Sequence, residues 1–281
     1  TNKGVLRVSK IEGERFSIGL ADGSDIVSDF VCIACGGFPK LSQFDWIQAL
    51  GHSIVPPVPS LFTFNLQRNN ITSLMGVAVQ NVTIKIKGTR FQQSGPLLIT
   101  HWGLSGPAVL KLSAFAAIEL ASCDYDFTVI VNWTGDSNEH DLLRLLRAFR
   151  EEHSRKKIRN KMPVSLPQRF WEYQLEQAEI DPDKNWADLP AKQQNLLAKN
   201  LSSQEFQVRG KTTFKEEFVT AGGVSLTEIS SSTMESRKVA GLYFAGEIMD
   251  VDGITGGFNF QHAWTSGFVA AKAIALAAEA N

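Results

Sequence analysis

The chain has 281 residues, 43% of them hydrophobic, enough for a substantial core in one large or two moderate domains. A formal net charge of −1 gives no global field toward nucleic acid or a membrane surface, and no apolar run is long enough to span a bilayer. Three cysteines make no disulfide framework and nothing reads as a signal peptide, so a cytoplasmic setting is expected. The sequence opens on Thr1 and enters strand-like sequence almost at once, which leads us to expect a piece of a longer chain.

Residues 4–34 alternate apolar and polar positions, with Gly13 and Asp22-Gly23 as turn formers, and predict β structure. The run from Phe30 to Cys35 is continuously apolar and ends in Gly36-Gly37, the pattern of a buried strand feeding a tight turn. Cys32 and Cys35 have CxxC spacing. Residues three apart on a strand face opposite sides, and no second pair completes a zinc site, so buried structural thiols are expected. Residues 41–50 predict a short helix stopped by Gly51, and Pro56, Pro57 and Pro59 then impose an extended segment where we place a domain boundary. From 61 to 133 the β pattern returns in GVAVQNVTIKIKG, PLLITHWGLSGPAVLKLSAF and FTVIVNWTG, with a turn at 103–107.

Between 140 and 207 the composition predicts helix. HDLLRLLRAFREEH places Leu142, Leu143, Leu145, Leu146 and Phe149 on a broad apolar face. The basic cluster of Arg155, Lys156, Lys157, Arg159 and Lys161 fits either a nucleic-acid patch or the solvated end of that helix. With Glu151 and Glu152 beside it, we take the second. LPQRFWEYQLEQAEI and AKQQNLLAKNLS complete a small bundle with no chemistry of its own, and residues 206–229 return to strand around Gly222-Gly223.

The stretch 241–267, GLYFAGEIMDVDGITGGFNFQHAWTSG, reads as a buried strand, an acidic residue, a glycine loop and the start of an alanine-rich helix. Free N–H groups at a helix start and glycines that admit a ligand to the backbone suit an anionic cofactor. Equally, the glycines make only a turn and the helix only caps a sheet.

Several stretches together resemble one family. CIACGGFPK, ALGHSIVPPVPSLFTFNL, THWGLSGPAVLKLS and the segment from Phe218 to Ala275 are similar to the YhiN/BaiN-type bacterial flavoproteins, NAD(P)/FAD-dependent oxidoreductases. The resemblance covers essentially the whole chain. It implies an α+β or α/β fold, a partial two-dinucleotide-type FAD domain interrupted by an inserted β-barrel-like plus helical domain. The expected boundaries are 1–58 for the first FAD-domain portion and 59–215 for the insertion (59–135 barrel-like, 136–210 helical). Residues 216–281 form the C-terminal FAD-binding segment. The family's GxGxxG unit is absent, the loop after Gly37 is short, and Cys35 stands where the family has threonine.

The resemblance also implies FAD as cofactor, with a nicotinamide nucleotide and a small-molecule substrate as partners. No nucleic acid, no membrane, no metal and possible self-association complete the expectation. Gly36 and Gly37 would lie against the adenosine–pyrophosphate side, and Gly246 and Glu247 by the pyrophosphate and ribityl chain. Gly256, Gly257, Phe258 and Asn259 would bring helix N–H groups to the flavin's carbonyl edge. Asp250 and Asp252 are loop caps or ligands. His101 is either a substrate-side residue or a hydrogen-bonded support of the 103–107 turn, and His262 is expected to pack. The rival reading is a non-catalytic binding or scaffold module.

Overall fold

The computed structural model describes residues 3–212 and 219–280. It has two compact units, Thr1–Ser60 with Glu216–Asn281, and Leu61–Lys215. The second boundary expected from sequence, between 215 and 216, lies outside the described residues.

The first unit begins with β1 (Val5–Lys10), β2 (Phe16–Leu20) and β3 (Asp25–Ser28), an antiparallel sheet. Strand β4 (Val31–Ile33), the short α1 (Asp45–Gln48) and β5 (Ile54–Ser60) follow. Strand β5 tolerates three prolines because it pairs along one edge only, so the missing N–H groups break no second ladder.

The second unit contains β6 (Thr63–Asn65), β7 (Ala78–Ile86), β8 (Gln92–Ile99), β9 (Gly103–Ser105), α2 (Pro107–Phe115), α3 (Ala117–Ser122) and β10 (Asp126–Asn132). Next come α4 (Glu139–Glu152), α5 (Gln168–Gln177), α6 (Ala191–Ser203), β11 (Gln204–Arg209) and β12 (Lys211–Thr212). Its seven strands run in the order β11-β10-β7-β8-β9-β6-β12. The two edge strands, β11 and β12, are separated in sequence by Gly210 alone, so the sheet has to curl until its edges meet. Asn65 N donates to Gly210 O at 3.3 Å and Gly210 N to Tyr125 O at 2.9 Å, tying that corner. Phe64, Ile84, Leu97 and Val129 are fully buried.

The expectation of strand through GPAVLKLSAF is corrected: it is helix α2, followed by α3. Gly106 caps α2 and Pro107 occupies its first turn, both good helix-start residues. The periodicity is hidden because Ala108, Val109 and Leu112 are all buried and few polar residues interrupt them. On α4, Leu142 and Leu146 are buried while Leu145 is exposed, so the apolar stripe is narrower than expected.

The first unit resumes with β13 (Val219–Val224), antiparallel to β5, then β14 (Leu242–Phe244), parallel to β4, and α7 (Phe258–Ala280). Phe16, Ile33, Phe44, Ile47, Leu242 and Phe244 form its core. Cys32 and Cys35 are exposed rather than buried. Ile33 is the β4 residue that turns into the core, and Cys32, one position away, lies on the other side of the β4–β14 ribbon.

Gly103 decides the barrel's tightest approach. It sits at φ 150°, and a Cβ there would lie 2.1 Å from Phe64 O and 2.8 Å from Leu66 N. Gly103→Ala is therefore expected to destabilise this unit by about 3 kcal/mol or more. Gly88→Ala, at φ 80° with nothing within 4 Å, should cost only about 1 kcal/mol. Thermal melts of the two variants measure the contrast, and equal losses would refute the packing argument.

Candidate functional site

Parallel pairing sets Leu242 opposite Val31, Tyr243 opposite Cys32 and Phe244 opposite Ile33. The carboxyl ends of β4 and β14 therefore lie side by side, the place where open α/β sheets bind ligands. Gly36-Gly37 leaves one strand end and Gly246-Glu247 the other. A Cβ on Gly37 would stand 3.1 Å from Glu247 Cγ and 3.2 Å from Thr220 Cβ, so only glycine fits without displacing a neighbour. Thr220 N donates to Glu247 Oε1 at 2.9 Å, which fixes the carboxylate's orientation. Thr220 carries no sequence signal for this role, since it lies 27 residues from Glu247.

The loop after Glu247 returns through Gly256 (φ 122°) and Gly257 (φ 87°) into α7. Gly246 N donates to Ser266 Oγ at 2.9 Å, and the Ser266 hydroxyl donates to His262 O at 2.7 Å. These bonds seat α7 on the end of β14. Asn259 clasps the loop: Gly253 N donates to Asn259 Oδ1 at 2.6 Å and Asn259 Nδ2 to Gly253 O at 3.0 Å. Phe258 is exposed, with its ring 3.3 Å from where a Gly256 Cβ would be.

Asp250 and Asp252 hold the loop. Ser60 Oγ donates to Asp252 Oδ2 at 2.6 Å, and Asp250 N donates to Val224 O at 3.0 Å. Burial pushes the Asp250 carboxyl above its ordinary pKa, a backbone hydrogen bond from Gly222 offsets part of this, and nearby Asp252 adds to the rise. His262 lies one turn inside α7. Its Nε2 is buried without a hydrogen-bond partner among the described residues.

His101 belongs to the second unit. Thr100 closes its hairpin, accepting from Gly103 N at 3.1 Å, so the histidine is not the turn's support. His101 and Trp102 are instead both exposed, with ring centroids 4.5 Å apart.

Residues 58–219 match the family described as HI0933-like protein barrel and H2TH domain. The chain belongs to the HI0933-like family. It is 36% identical over 277 residues to a ribosomal RNA dihydrouridine synthase of Escherichia coli, covering 95% of this chain and 66% of that protein. A Haemophilus influenzae protein of the same name is 31% identical over 81% of this chain and 54% of its own length. A 3-dehydro-bile acid delta(4,6)-reductase of Clostridium scindens is 26% identical over 91% of this chain and 64% of that protein. The HI0933-like chain thus spans less than two-thirds of the length of each.

These relatives correct the exclusion of nucleic acid, because two of them are named for an RNA substrate. A net charge of −1 averages over the whole HI0933-like chain and hides local clusters such as the basic residues of 155–161. Among the described residues no helix is long and apolar enough to cross a membrane.

A second polar cluster in the HI0933-like chain has no sequence signal. Buried His52 contacts Glu228 Oε2 through Nδ1 and Ser236 Oγ through Nε2, each at 2.9 Å. It resembles a nucleophile triad, but Ser236 is buried and its hydroxyl also accepts from Lys238 N and Val239 N, so the group is a structural clasp. Burial lowers the His52 pKa. Desolvation pushes Glu228 up, but hydrogen bonds from Lys238, Ser53 and His52 outweigh it and hold its pKa at about 2.

The His52 contribution is full above its unfolded pKa and shrinks as pH falls below it, because the unfolded chain takes up the proton first. The Glu228 contribution is full above 4.5 and lost as pH falls toward 2. Glu228→Gln should cost about 1–2 kcal/mol near neutral pH, screened because Lys238 is part-exposed, and flatten the acid limb below 4.5. Urea midpoints against pH test this, and an unchanged acid limb would refute the assignment.

Proposed function

We propose that the protein carrying this chain is a flavin-dependent reductase acting on a carbon–carbon double bond conjugated with a carbonyl, with uracil in ribosomal RNA as the substrate class. The observation that carries the reading is the meeting of Gly36-Gly37 with Gly246-Glu247 at the carboxyl ends of two parallel strands. The relatives' names support the chemistry. Uracil and an unsaturated 3-dehydro bile acid both present an alkene conjugated to a carbonyl, and reduction of either adds a hydride and a proton.

The residues fit FAD. Gly37 has no room for a side chain, Glu247 Oε2 is uncommitted among the described residues, and His262 Nε2 is a buried polar atom awaiting a partner. In this reading the first unit is part of a two-dinucleotide-type FAD domain and the second is its insertion. Gly36 and Gly37 line the adenosine–pyrophosphate side, and Gly246 and Glu247 the pyrophosphate and ribityl chain, with Glu247 accepting a hydroxyl. Gly256, Gly257, Phe258 and Asn259 bring the unpaired N–H groups of the α7 start toward the ring's carbonyl edge, where their partial positive charge favours anionic reduced flavin. When bound, FAD supplies the hydride chemistry, between a reduced nicotinamide and the substrate alkene. His101, exposed on the second unit, is our substrate-side candidate for supplying the proton.

The test is to incubate the protein with FAD, NADH or NADPH, and a ribosomal RNA fragment, then digest it and look for the two-hydrogen mass increase of dihydrouridine. We expect a flavin spectrum and that product. Glu247→Ala should lower flavin occupancy, and His101→Ala should slow turnover about 100-fold with the flavin spectrum intact. A colourless protein that ignores added FAD would favour the scaffold reading. Flavin binding with reduction of a small enone but not of RNA would move the substrate class.

A further inference from the structure

The basic residues of 155–161 lie on a braced turn in the helical half of the second unit. Trp171 Nε1 donates to Ile158 O and Trp186 Nε1 to Lys161 O, both at 3.1 Å. Trp186 N donates to Lys156 O at 3.0 Å and Arg159 N to Pro182 O at 3.1 Å, while Ile158 is fully buried. The backbone is thus pinned, and Arg155, Lys156, Lys157 and Lys161 are exposed while Arg159 is half-buried. Lys157 and Arg159 share Asp183, at 3.4 and 3.8 Å. Arg155, Lys156 and Lys161 are exposed, and none of them pairs with a carboxylate among the described residues. A solvated helix end would not require a segment held from both sides by indoles and backbone bonds.

Three residues after Lys161, at a chain distance of at most about 11 Å, Val164 begins a wall of a cavity of about 440 Å³ with mixed polar and apolar lining. Gln80, Asn81, Trp133, Thr134, Ser137 and Ser165 also line it. Gln80 and Asn81 occupy a β-bulge. Val79 pairs with Leu97 and Val82 with Gly95, three steps on β7 against two on β8. A bulge of this kind turns side chains out of the regular alternation. Asn132 orders the stretch that carries Thr134 and Ser137: its Oδ1 accepts from Thr134 N at 3.0 Å and its Nδ2 donates to Ser137 O at 2.8 Å. No charged side chain lines the cavity. Carboxamides match the donor–acceptor edge of a base, and serine hydroxyls match a ribose 2′-OH.

We propose that the second unit holds single-stranded RNA, with Arg155, Lys156 and Lys161 on phosphates and the bulge cavity taking one unstacked nucleoside. This rests on the RNA reading of the substrate above and adds where the strand is gripped.

The test is fluorescence anisotropy of the full chain with a labelled uridine-rich oligoribonucleotide across a salt series. Substituting Arg155→Gln, Lys156→Gln and Lys161→Gln together should weaken binding about tenfold at low salt and reduce the slope of log Kd against log salt by about 2. Gln80→Ala with Asn81→Ala should weaken binding about tenfold with the slope unchanged, and should abolish competition by free uridine. Both variants alter exposed side chains, and unchanged circular-dichroism melts would confirm that they fold. If the chain binds RNA and both variants bind like the parent, this site is wrong while the RNA substrate stands. If the parent chain binds no RNA, or polyglutamate competes as well as RNA does, the proposal fails in favour of another partner. Binding that follows these variants without any dihydrouridine formed would instead sink the catalytic reading and keep the site.

Discussion

The first unit depends on one strand pairing, the parallel ladder between β4 and β14. The two strands come from opposite ends of the chain, with the whole second unit between them. An antiparallel pairing would have put Gly36-Gly37 and Gly246-Glu247 at opposite ends of the ribbon. Parallel pairing puts both strand exits at one end, where backbone N–H groups, a carboxylate and a helix start can serve one ligand. The contacts around Gly37 follow from that geometry. Thr220 reaches Glu247 because β13, paired with β5, places it beside the same strand ends.

The second unit rests on a different constraint, the one-residue passage through Gly210. When consecutive strands occupy opposite edges of a sheet, closure is compulsory, and closure removes the exposed edges that invite aggregation. The close approach of Gly103 to the backbone of Phe64 and Leu66 belongs to the same closure. It also carries His101 and Trp102 outward on a short hairpin whose bonds are made by Thr100. The helices that follow β10 bury Trp133, Trp171 and Trp186, and two of those indoles brace the basic turn. Rigidity and charge are thereby coupled, since the residues that form the core also hold the cations in place.

Flavin chemistry on a conjugated alkene asks little of side chains beyond holding the cofactor, orienting the alkene and supplying a proton. If the proposed reaction is right, that economy would account for the lack of a conspicuous catalytic constellation in the sequence. It also explains why relatives named for a ribosomal base and for a steroid can share this framework. In the proposed reading, discrimination between such different substrates would fall to surfaces remote from the reacting bond.

Local pattern by itself determined many of the elements. Alternation marked β7, turn residues marked the hairpins of β1–β3, the 3.6-residue period marked α4, and composition marked α6. The motif residues also let the flavoprotein resemblance be stated from sequence. Local pattern failed where an element was apolar all round, as in α2, whose burial on several sides erased the period that tells helix from strand. It failed again at Cys32 and Cys35, because which side of a strand is covered depends on neighbours distant in sequence. Only the tertiary structure decided the meeting of Glu247 with Thr220 and Gly37, the clasp of His52 with Glu228 and Ser236 across more than 170 residues, and the bracing of 155–161 by two tryptophans. The physical reason is common to all three. Each contact joins segments whose proximity is set by barrel closure, parallel pairing or helix packing, and none of those leaves a periodic trace in the residues it joins.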